Sequence, residues 1–516
     1  MSKLLKNLRS RITSMELWTL AFLILVIIYI LPIWTFKYFP SQDGPCHIYN
    51  SFILKHYDNP EYVFSKFYEV RKSPIPNWAS HFSMMLLMYL VPPLIAEKIL
   101  LTGYIVLMAL SMLYLLSAVE AGRTPLAFIG FPFIYNYLLL MGFYNFSLSV
   151  ALLMLAVGYW WKHYETFDVK NMSILGLLLV VLYFCHLVSL VLAMLSIVTV
   201  AILRLPPRFT RWKQALFSLL CMLPAAGLTY YYTRTRGTAQ SGVWAWERLW
   251  QYFIRNESLA YYSQEQIILG KFVTGAFIAL FFYTFIRDRF FTKEWRFRLR
   301  ISRKDFFLLL CVGFFIIYWQ APDGMSGGGF IKTRLSFLPF LIIIPWLSWD
   351  MPKIAKGIVG IMLMLLATAY IAHASYYHRN FSNDMKVYTS GYDVIERNKV
   401  ILPLAFNRSG GCWRIGMFLH AVGHYGYATG CIELDNYEAT TSYFPTYYKP
   451  DFRRPVHSII ESKPAEFDFD EYADGIDYVI TWALPSGSDV ESRILNHYYL
   501  IKQNGNLKIF QRGAHP

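Results

Sequence analysis

The sequence predicts an α-helical, multi-pass membrane protein with a small C-terminal α/β domain, and three observations lead to this prediction. Of the 516 residues, 56% are hydrophobic and only 16% are charged, whereas soluble chains carry about 25% charged residues. Apolar runs long enough to cross a bilayer recur from residue 17 to residue 374. Residues 375–516 instead show short alternating runs typical of strands. This composition argues against an ordinary soluble enzyme and against a disordered chain, which needs low hydrophobicity.

The first apolar run, from Leu17 to Phe36, predicts a retained membrane-spanning helix. It has about the 20 residues that the hydrocarbon core requires. It is too long for the core of a signal peptide, and no small-residue cleavage site follows it. The basic residues before it (Lys3, Lys6, Arg9 and Arg11) predict a cytoplasmic N-terminus.

A polar first outer loop, 37–80, follows this helix. The apolar segment 81–97 is interrupted by Pro92-Pro93 and is short, which predicts an interfacial helix. Further spans, about eleven in all, are predicted near 98–118, 125–141, 146–161, 173–186, 189–203, 214–232, 267–286, 305–320, 335–349 and 357–374. The stretch 173–203 also fits one long tilted helix. Residues 1–374 therefore form the predicted transmembrane domain.

The distribution of charged residues indicates how the predicted spans are oriented in the membrane. The predicted inner segments, 1–14, 119–124, 162–172, 204–213, 287–304 and 350–356, hold 21 Lys or Arg against 6 Asp or Glu. The predicted outer segments hold 11 Lys or Arg against 8 acids. Positive residues favour the cytoplasmic side, so the net charge of +15 indicates topology and contact with anionic membrane lipids rather than binding of nucleic acid.

With an odd number of spans, residues 375–516 lie outside the cytoplasm as a soluble α/β domain. Two strand-like runs around Asn504-Gly505 predict a β-hairpin there. Cys412 and Cys431 lie in this region, where an oxidising compartment would permit a disulfide. The sequence leaves that pairing open.

Polar residues that can carry chemistry collect at the outer ends of the predicted helices. Asp43 and Gly44 suit a helix N-cap, and Pro45 suits the first turn. Asp43 and His47 are one turn apart and so share a helix face. They are either a catalytic Asp with a His neighbour or a pair of metal ligands, unless Asp43 is only a cap.

Three further residues are candidates for substrate binding. Glu69 is a second carboxylate in the first loop, unless it is only a solvated charge. Asn145 lies at a predicted outer turn, which it also suits as a turn residue. His186 lies deep in apolar sequence, where ionisable residues indicate function or hydrogen-bonded helix packing.

The outer loop 322–334 carries a glycine run followed by Lys332 and Arg334. Glycines let backbone N–H groups approach a phosphate, and Arg binds phosphate with two parallel hydrogen bonds. The loop therefore predicts a phosphate site, with a flexible loop near the headgroups as the alternative. The sequence contains no P-loop, so it lacks the motif of ATP-driven transport.

Together these features resemble the GT-C superfamily of integral-membrane glycosyltransferases, and most closely a bacterial, largely uncharacterised branch. The resemblance rests on QDGPCHIYNSFIL, PNWASHF, LVPPLIAEKIL, GFYNFSLSVAL and the helix of Arg334. It implies a transmembrane catalytic domain, 1–374, in the inner (plasma) membrane and an extracytoplasmic domain, 375–516. Asp43 matches the first-loop catalytic Asp. Some relatives have paired acids there, so a role for a divalent cation stays open.

The resemblance implies transfer of a hexosyl or pentosyl group from a polyprenyl-phosphate sugar to a glycan, lipid or protein hydroxyl of the cell envelope. Lys332 and Arg334 would bind the donor phosphate, Asp43 would act on the acceptor hydroxyl, and His47 or His186 would position the acid. The aromatic stretch Tyr443–Tyr448 is a candidate acceptor surface. The alternatives are a transporter or flippase of lipid-linked glycans and a polysaccharide polymerase or ligase.

Overall fold

The computed structural model describes residues 14–203, 212–235, 240–290, 302–325 and 328–513. Most of these residues are helical. The predicted inner segments 1–14, 204–213 and 287–304 lie largely outside the described residues, as do Ser326 and Gly327 of the glycine-rich loop.

The α-helices are Ser14–Thr35, Gly44–His56, Phe64–Phe67, Ala79–Leu87, Pro93–Val119, Tyr137–Leu140, Tyr144–His163, Val169–Cys185, Leu187–Leu203, Trp212–Leu220, Leu223–Arg234, Trp246–Ile254, Gln266–Phe290, Asp305–Gln320, Ile331–Ser336, Leu338–Ile343, Lys353–Tyr388, Gly423–Thr429, Tyr437–Thr440, His457–Ser462, Phe469–Tyr472 and Asp489–Leu495. Segments of 3-10 helix are Thr124–Tyr135, Tyr164–Thr166, Glu257–Leu259, Ile344–Trp346, Thr389–Val394, Pro464–Glu466 and Ala473–Gly475.

Six helical segments of the described residues are long and apolar enough to cross a membrane: Leu17–Thr35, Pro93–Val119, Tyr144–Thr166, Trp212–Arg234, Gln266–Arg289 and Lys353–Val394. Their apolar surface is incompletely covered by protein. Leu20, Ile27 and Leu31 of the first segment, for example, are each more than half exposed. Contiguous exposed apolar surface is unfavourable in water but suits a lipid environment. These six segments fit the predicted membrane-protein class by their length and composition.

The number of long spans is smaller than the sequence predicts. The predicted spans near 125–141, 173–186, 189–203 and 305–320 correspond to shorter apolar helices. Residues 124–135 form 3-10 helix, with Pro125 in the first turn and Pro132 within. Proline lacks the N–H that an α-helical hydrogen bond needs at an interior position. The stretch 173–203 is two helices, because His186 between them is extended (φ −166°, ψ 132°).

The predicted interfacial segment 81–97 also divides into two helices. The first is Ala79–Leu87, and Pro93 opens the 27-residue helix Pro93–Val119. Proline is favoured at a helix start, because its missing N–H has no partner there in any case. Pro92-Pro93 therefore begins a long helix rather than ending a short one.

The chain divides into two compact units, each built from three segments. The first unit is Met1–Pro32, Thr102–Leu138 and Phe146–Ala374, and the second is Ile33–Leu101, Leu139–Asn145 and Ser375–Pro516. Most of the predicted first outer loop, 37–80, and the segment 81–97 thus belong with residues 375–516.

The strands, in chain order, are β1 Tyr68–Val70, β2 Gln240–Ser241, β3 Gly324–Met325, β4 Val400–Ala405, β5 Ile432–Glu433, β6 Thr446–Tyr448, β7 Tyr478–Trp482, β8 Tyr498–Asn504 and β9 Leu507–Arg512. In the second unit a five-stranded sheet has the order β5-β4-β7-β9-β8. Strands β5, β4 and β7 are parallel, whereas β9 is antiparallel to β7 and β8. Every residue of β7 is buried, as expected for a central strand covered on both faces.

The small C-terminal sheet domain is confirmed, and so is its hairpin, because Asn504 pairs with Leu507 across the turn. A separate ladder joins β1 of the first loop to β6, with Tyr68 opposite Tyr448. None of the six cysteines, all of which lie among the described residues, forms a disulfide, so Cys412 and Cys431 are not joined. Both thiols are buried.

Candidate functional site

Asp43 stands at the N-terminal end of the helix Gly44–His56, with proline in the first turn, as the sequence predicts. Its side chain makes no capping hydrogen bond. The carboxylate instead accepts a hydrogen bond of 3.1 Å from Gln42 Nε2 and faces His420 Nε2 at 3.7 Å. The carboxylate is buried and faces a second polar group, so it does not act as a helix cap.

Residues 139–145 form the wall behind Asp43. Asp43 N–H donates to the carbonyl of Met141 at 3.2 Å. Gly142 has φ +97°, and a Cβ atom added there would lie 2.7 Å from Asp43 Cβ. Only glycine combines this left-handed conformation with so close an approach.

His47 lies one turn beyond Asp43 and is also buried. Its Nε2 donates a hydrogen bond of 2.6 Å to the carbonyl of Gly142, and its Nδ1 contacts Glu438 Oε1. The other carboxylate oxygen of Glu438 lies 2.8 Å from His81 Nε2. We call His47, His81 and Glu438 the histidine–glutamate triad; all three side chains are almost fully buried.

Two asparagines fix Glu438 opposite His47. Asn436 caps the short helix Tyr437–Thr440 by accepting from Ala439 N–H. It also exchanges two side-chain hydrogen bonds, of 2.9 and 3.0 Å, with Asn50, which lies one turn beyond His47. Each buried amide therefore satisfies the other.

His81 is positioned by Asn145. The side-chain oxygen of Asn145 accepts from Ser80 N–H at 2.7 Å, and its amide donates to the carbonyl of Asn77 at 2.9 Å. These bonds hold the start of the helix Ala79–Leu87, on which His81 lies. Asn145, a predicted substrate-binding candidate, thus holds the triad through the backbone.

A second network of acids and histidines, which we call the His420 network, is centred on His420, the residue that faces Asp43. His420 lies 3.2 Å from Asp435 and 3.5 Å from Glu461. His457 contacts the same two acids, at 3.3 and 3.4 Å. Asp43, His420, Asp435, His457 and Glu461 therefore form a continuous set of acids and imidazoles.

Burial and neighbouring charges shift the pKa values of His420 and Asp43. Burial lowers the pKa of His420, but Asp435, Asp43 and Glu461 outweigh it and raise that pKa to about 9. Burial raises the pKa of Asp43, although His420 and His47 oppose the shift. His420 is therefore a buried cation at neutral pH, and Asp43 is a stronger base than an exposed carboxylate.

The pKa values of Glu438 and His47 in the histidine–glutamate triad are shifted as well. Burial would raise the pKa of Glu438, but His81 and His47 together lower it to about 2. Burial would lower the pKa of His47, but Glu438 and Asp43 raise it above its ordinary value. Glu438 therefore carries a full negative charge at neutral pH.

Glu69 lies apart from these networks, on β1. It is opposite Tyr447 of β6 and accepts a hydrogen bond from the Tyr447 hydroxyl. Tyr447 and Tyr448, from the predicted acceptor surface, line a cleft of about 680 Å³. Arg71, Thr440, Arg454 and His457 are also on its walls. His457, on the wall of the cleft, also belongs to the His420 network.

The predicted phosphate-binding residues lie in the first unit. Lys332 is buried, and its Nζ donates to the carbonyls of Tyr318 and Trp319 at 3.3 and 3.1 Å. These carbonyls lie in the last turn of the helix Asp305–Gln320, where acceptors lack helical partners. Burial lowers the pKa of Lys332, partly opposed by Asp323. Lys332 thus caps a helix.

Arg334 is half-buried and donates a hydrogen bond to the carbonyl of Gly329. Its guanidinium lies 5.7 Å from the ring centre of Phe146. The imidazole of His186 packs against the same ring at 5.2 Å. The structure therefore brings Arg334 and His186, two candidates that the sequence treats separately, around one phenylalanine.

Six members of the two networks escape prediction from the sequence: His81, His420, Asp435, Glu438, His457 and Glu461. Contacts such as His47–Glu438 join residues 391 positions apart, and local spacing carries no information on them. The one available signal is His81, which lies within the PNWASHF motif.

Compared with protein-family models and with curated proteins, the chain matches none.

Proposed function

We propose that this chain is a membrane-embedded glycosyltransferase. It moves a hexosyl or pentosyl group from a polyprenyl-phosphate donor to an acceptor hydroxyl at the outer face of the inner membrane, for a cell-envelope glycan, glycolipid or protein. The observation that carries the proposal is the carboxylate of Asp43. It is buried, free of helix capping and 3.7 Å from His420.

Asp43 is the general base of this reaction. The acceptor hydroxyl oxygen attacks the anomeric carbon while its proton passes to Asp43, and the bond between that carbon and the phosphate oxygen breaks. The lipid phosphate leaves with the electron pair, and a single displacement inverts the anomeric centre. Burial raises the pKa of Asp43, which improves a base that would otherwise be weak at neutral pH. His420 compensates the charge of the carboxylate before the proton arrives.

Arg334 is the better candidate for the donor phosphate. Its guanidinium is half-buried and lies between Phe146 and the glycine-rich loop, and Arg recognises phosphate through a planar set of donors. Lys332 has a competing role, since its ammonium group already caps a helix. In this proposal Arg334 binds the donor phosphate through its guanidinium.

The cleft beside β6 is the proposed acceptor site. Tyr447 and Tyr448 present aromatic surface, and Thr440, Ser442 and Arg454 add polar groups. Aromatic rings stacked on sugar faces, together with hydroxyl and guanidinium donors, suit a polyhydroxylated acceptor. His457 connects this cleft to the His420 network.

The test is sugar transfer by the purified full-length chain in lipid nanodiscs, with a panel of polyprenyl-phosphate sugars and envelope glycan extracts as acceptors. We expect one donor class to yield a new glycosidic bond. Asp43→Asn should lower kcat by at least about a hundredfold, the scale of general-base catalysis. Asp58→Asn, an exposed acid of the same loop, is the matched control and should retain activity.

Full activity in well-folded Asp43→Asn would remove Asp43 as the base. Movement of lipid-linked glycan across vesicles without formation of a glycosidic bond would instead favour a flippase.

A further inference from the structure

We propose that His47, His81 and Glu438 bind one divalent metal ion of the zinc type. The site differs from the Asp43–His47 pair that the sequence suggests, because Asp43 is directed at His420 instead. A metal at the triad would be present whether or not the chain transfers a sugar.

Three metal-binding atoms converge in the triad. Nδ1 of His47, Nε2 of His81 and a carboxylate oxygen of Glu438 all lie within 4.8 Å of one another. A tetrahedral zinc ion holds its donor atoms about 3.4 Å apart, so the three side chains surround a volume that suits one ion. All three are almost fully buried, which limits their movement in the unloaded protein.

The hydrogen bond of His47 leaves its other ring nitrogen directed at Glu438. The Gly142 carbonyl only accepts, so His47 Nε2 donates the 2.6 Å hydrogen bond. Nδ1, the remaining ring nitrogen, contacts Glu438 Oε1. A ring nitrogen and a carboxylate oxygen, both of which can ligate a metal ion, therefore lie side by side.

The position of His81 brings a second ring to the same carboxylate. The rings of His47 and His81 lie 5.0 Å apart and approach the two oxygens of Glu438. One divalent ion can take a ring nitrogen from each histidine and an oxygen from the carboxylate.

The outer contacts of the triad are those of metal ligands. A histidine that binds a metal usually donates its other ring N–H to a carbonyl or carboxylate, which fixes the orientation of the ring. His47 does this with Gly142 at 2.6 Å, and Nδ1 of His81 lies 3.4 Å from Ser80 Oγ. The reciprocal Asn50–Asn436 bonds hold Glu438 in place.

Charge around the triad also favours a cation. Asp43, Glu433, Asp435 and Glu438 are at most 4% exposed. Among the described residues, neither Lys nor Arg forms an ion pair with these four acids; histidines are their ion-pair partners where they have any. Both carboxyl oxygens of Glu433 lack a hydrogen-bond partner. Buried carboxylates need positive charge nearby. His420 supplies it beside Asp43 and Asp435, and a metal ion would supply it at Glu438.

The donor set selects the metal. Two imidazole nitrogens and one carboxylate suit zinc and neighbouring transition metals, whereas calcium and magnesium prefer oxygen donors alone. Three protein ligands leave a fourth position open in a tetrahedral site, as in zinc sites that exchange ligands.

The test is metal analysis of the full-length chain, purified through a tag that binds no metal and analysed in detergent by inductively coupled plasma mass spectrometry. We expect about one zinc per chain, either as purified or after zinc is added and excess removed. His81→Asn and Glu438→Gln should each weaken zinc binding more than about tenfold. His420→Asn, a buried histidine of the neighbouring network, is the matched control and should keep its zinc.

A measurement on the unaltered chain guards against variants that fail to fold. Cobalt loaded in place of zinc should give the visible absorption of a four-coordinate ion, and zinc X-ray absorption should show two imidazole ligands. A chain that takes up no metal, or one in which both triad variants keep full affinity, overturns the proposal. Zinc lost only in His420→Asn would also overturn it. Metal content is measured without donor or acceptor, so failure of the proposed transferase activity leaves this result unaffected.

Discussion

The imidazole of His420 lies 3.7 Å from the carboxylate of Asp43, although 377 positions separate them along the chain. His420 also contacts Asp435 and Glu461, and its ring packs against Tyr437. An acid at the start of one helix is thereby placed opposite a cation from the C-terminal segment. This pairing separates Asp43 from the role of a simple helix cap.

The His420 network should make stability depend on pH. The pKa of His420 rises from its ordinary value of 6.5 to about 9 in the folded chain. The groups that face it are Asp43, Asp435, Glu461, His457 and Tyr437. Because the folded pKa is the higher one, protonated His420 stabilises the folded chain. This contribution to the free energy of unfolding, up to about 3 kcal/mol, is fully present below pH 6.5 and is lost as the pH rises through 9. The unfolding temperature of His420→Gln should be lower than that of the wild type at pH 6. It should also decrease less than that of the wild type between pH 6 and pH 9.5. Parallel curves would contradict the ion pair.

Gly142→Ala should disturb both Asp43 and His47. The new methyl group would lie 2.7 Å from Asp43 Cβ, and φ is +97°. We expect destabilisation of about 1–3 kcal/mol and loss of transferase activity, measured by thermal unfolding and sugar transfer. Gly103→Ala is the control, since a Cβ there meets nothing within 4 Å. In its helix it should be neutral or stabilise by up to about 1 kcal/mol. If Gly142→Ala and Gly103→Ala changed stability and activity equally, the close approach of Asp43 at Gly142 would be contradicted.

Asn145→Ala should act through the histidine–glutamate triad. It leaves Ser80 N–H and the Asn77 carbonyl without their partner, which costs about 1–3 kcal/mol for buried groups. Because these bonds hold the helix of His81, zinc affinity should fall as well, by about tenfold. Zinc titration and thermal unfolding measure the two effects. Asn496→Ala, an exposed helix end, should change neither, and unchanged zinc affinity in Asn145→Ala would remove its positioning role.

Lys332 and Arg334 should separate experimentally although they are neighbours in sequence. Lys332→Met removes the donor to the Tyr318 and Trp319 carbonyls, so it should lower the unfolding temperature. Arg334→Ala should lower the unfolding temperature less than Lys332→Met does. It should raise the donor KM at least about tenfold, because a phosphate contact is charge-assisted. Donor kinetics with detergent-matched unfolding curves measure both. An unchanged donor KM in Arg334→Ala would end its assignment to the phosphate.

Local patterns predict much of this fold. Hydropathy predicts the apolar helices because a run of about 20 apolar residues is a local property of the sequence. The Asn504-Gly505 turn predicts its hairpin because turn chemistry is local. Span lengths are predicted less well: His186 breaks one apolar stretch, and residues 124–135, which contain Pro125 and Pro132, form 3-10 helix. Apolar composition does not report such breaks.

The sequence by itself determined the apolar helices, the helix start at Asp43 and the one-turn spacing to His47. Only the tertiary structure decided what these side chains meet. His47 meets His81 and Glu438, Asp43 meets His420, and Arg334 shares Phe146 with His186. The physical reason is the range of the interactions. Helix and turn preferences act over a few residues, whereas a buried charge is satisfied by whichever partner the packed chain brings beside it.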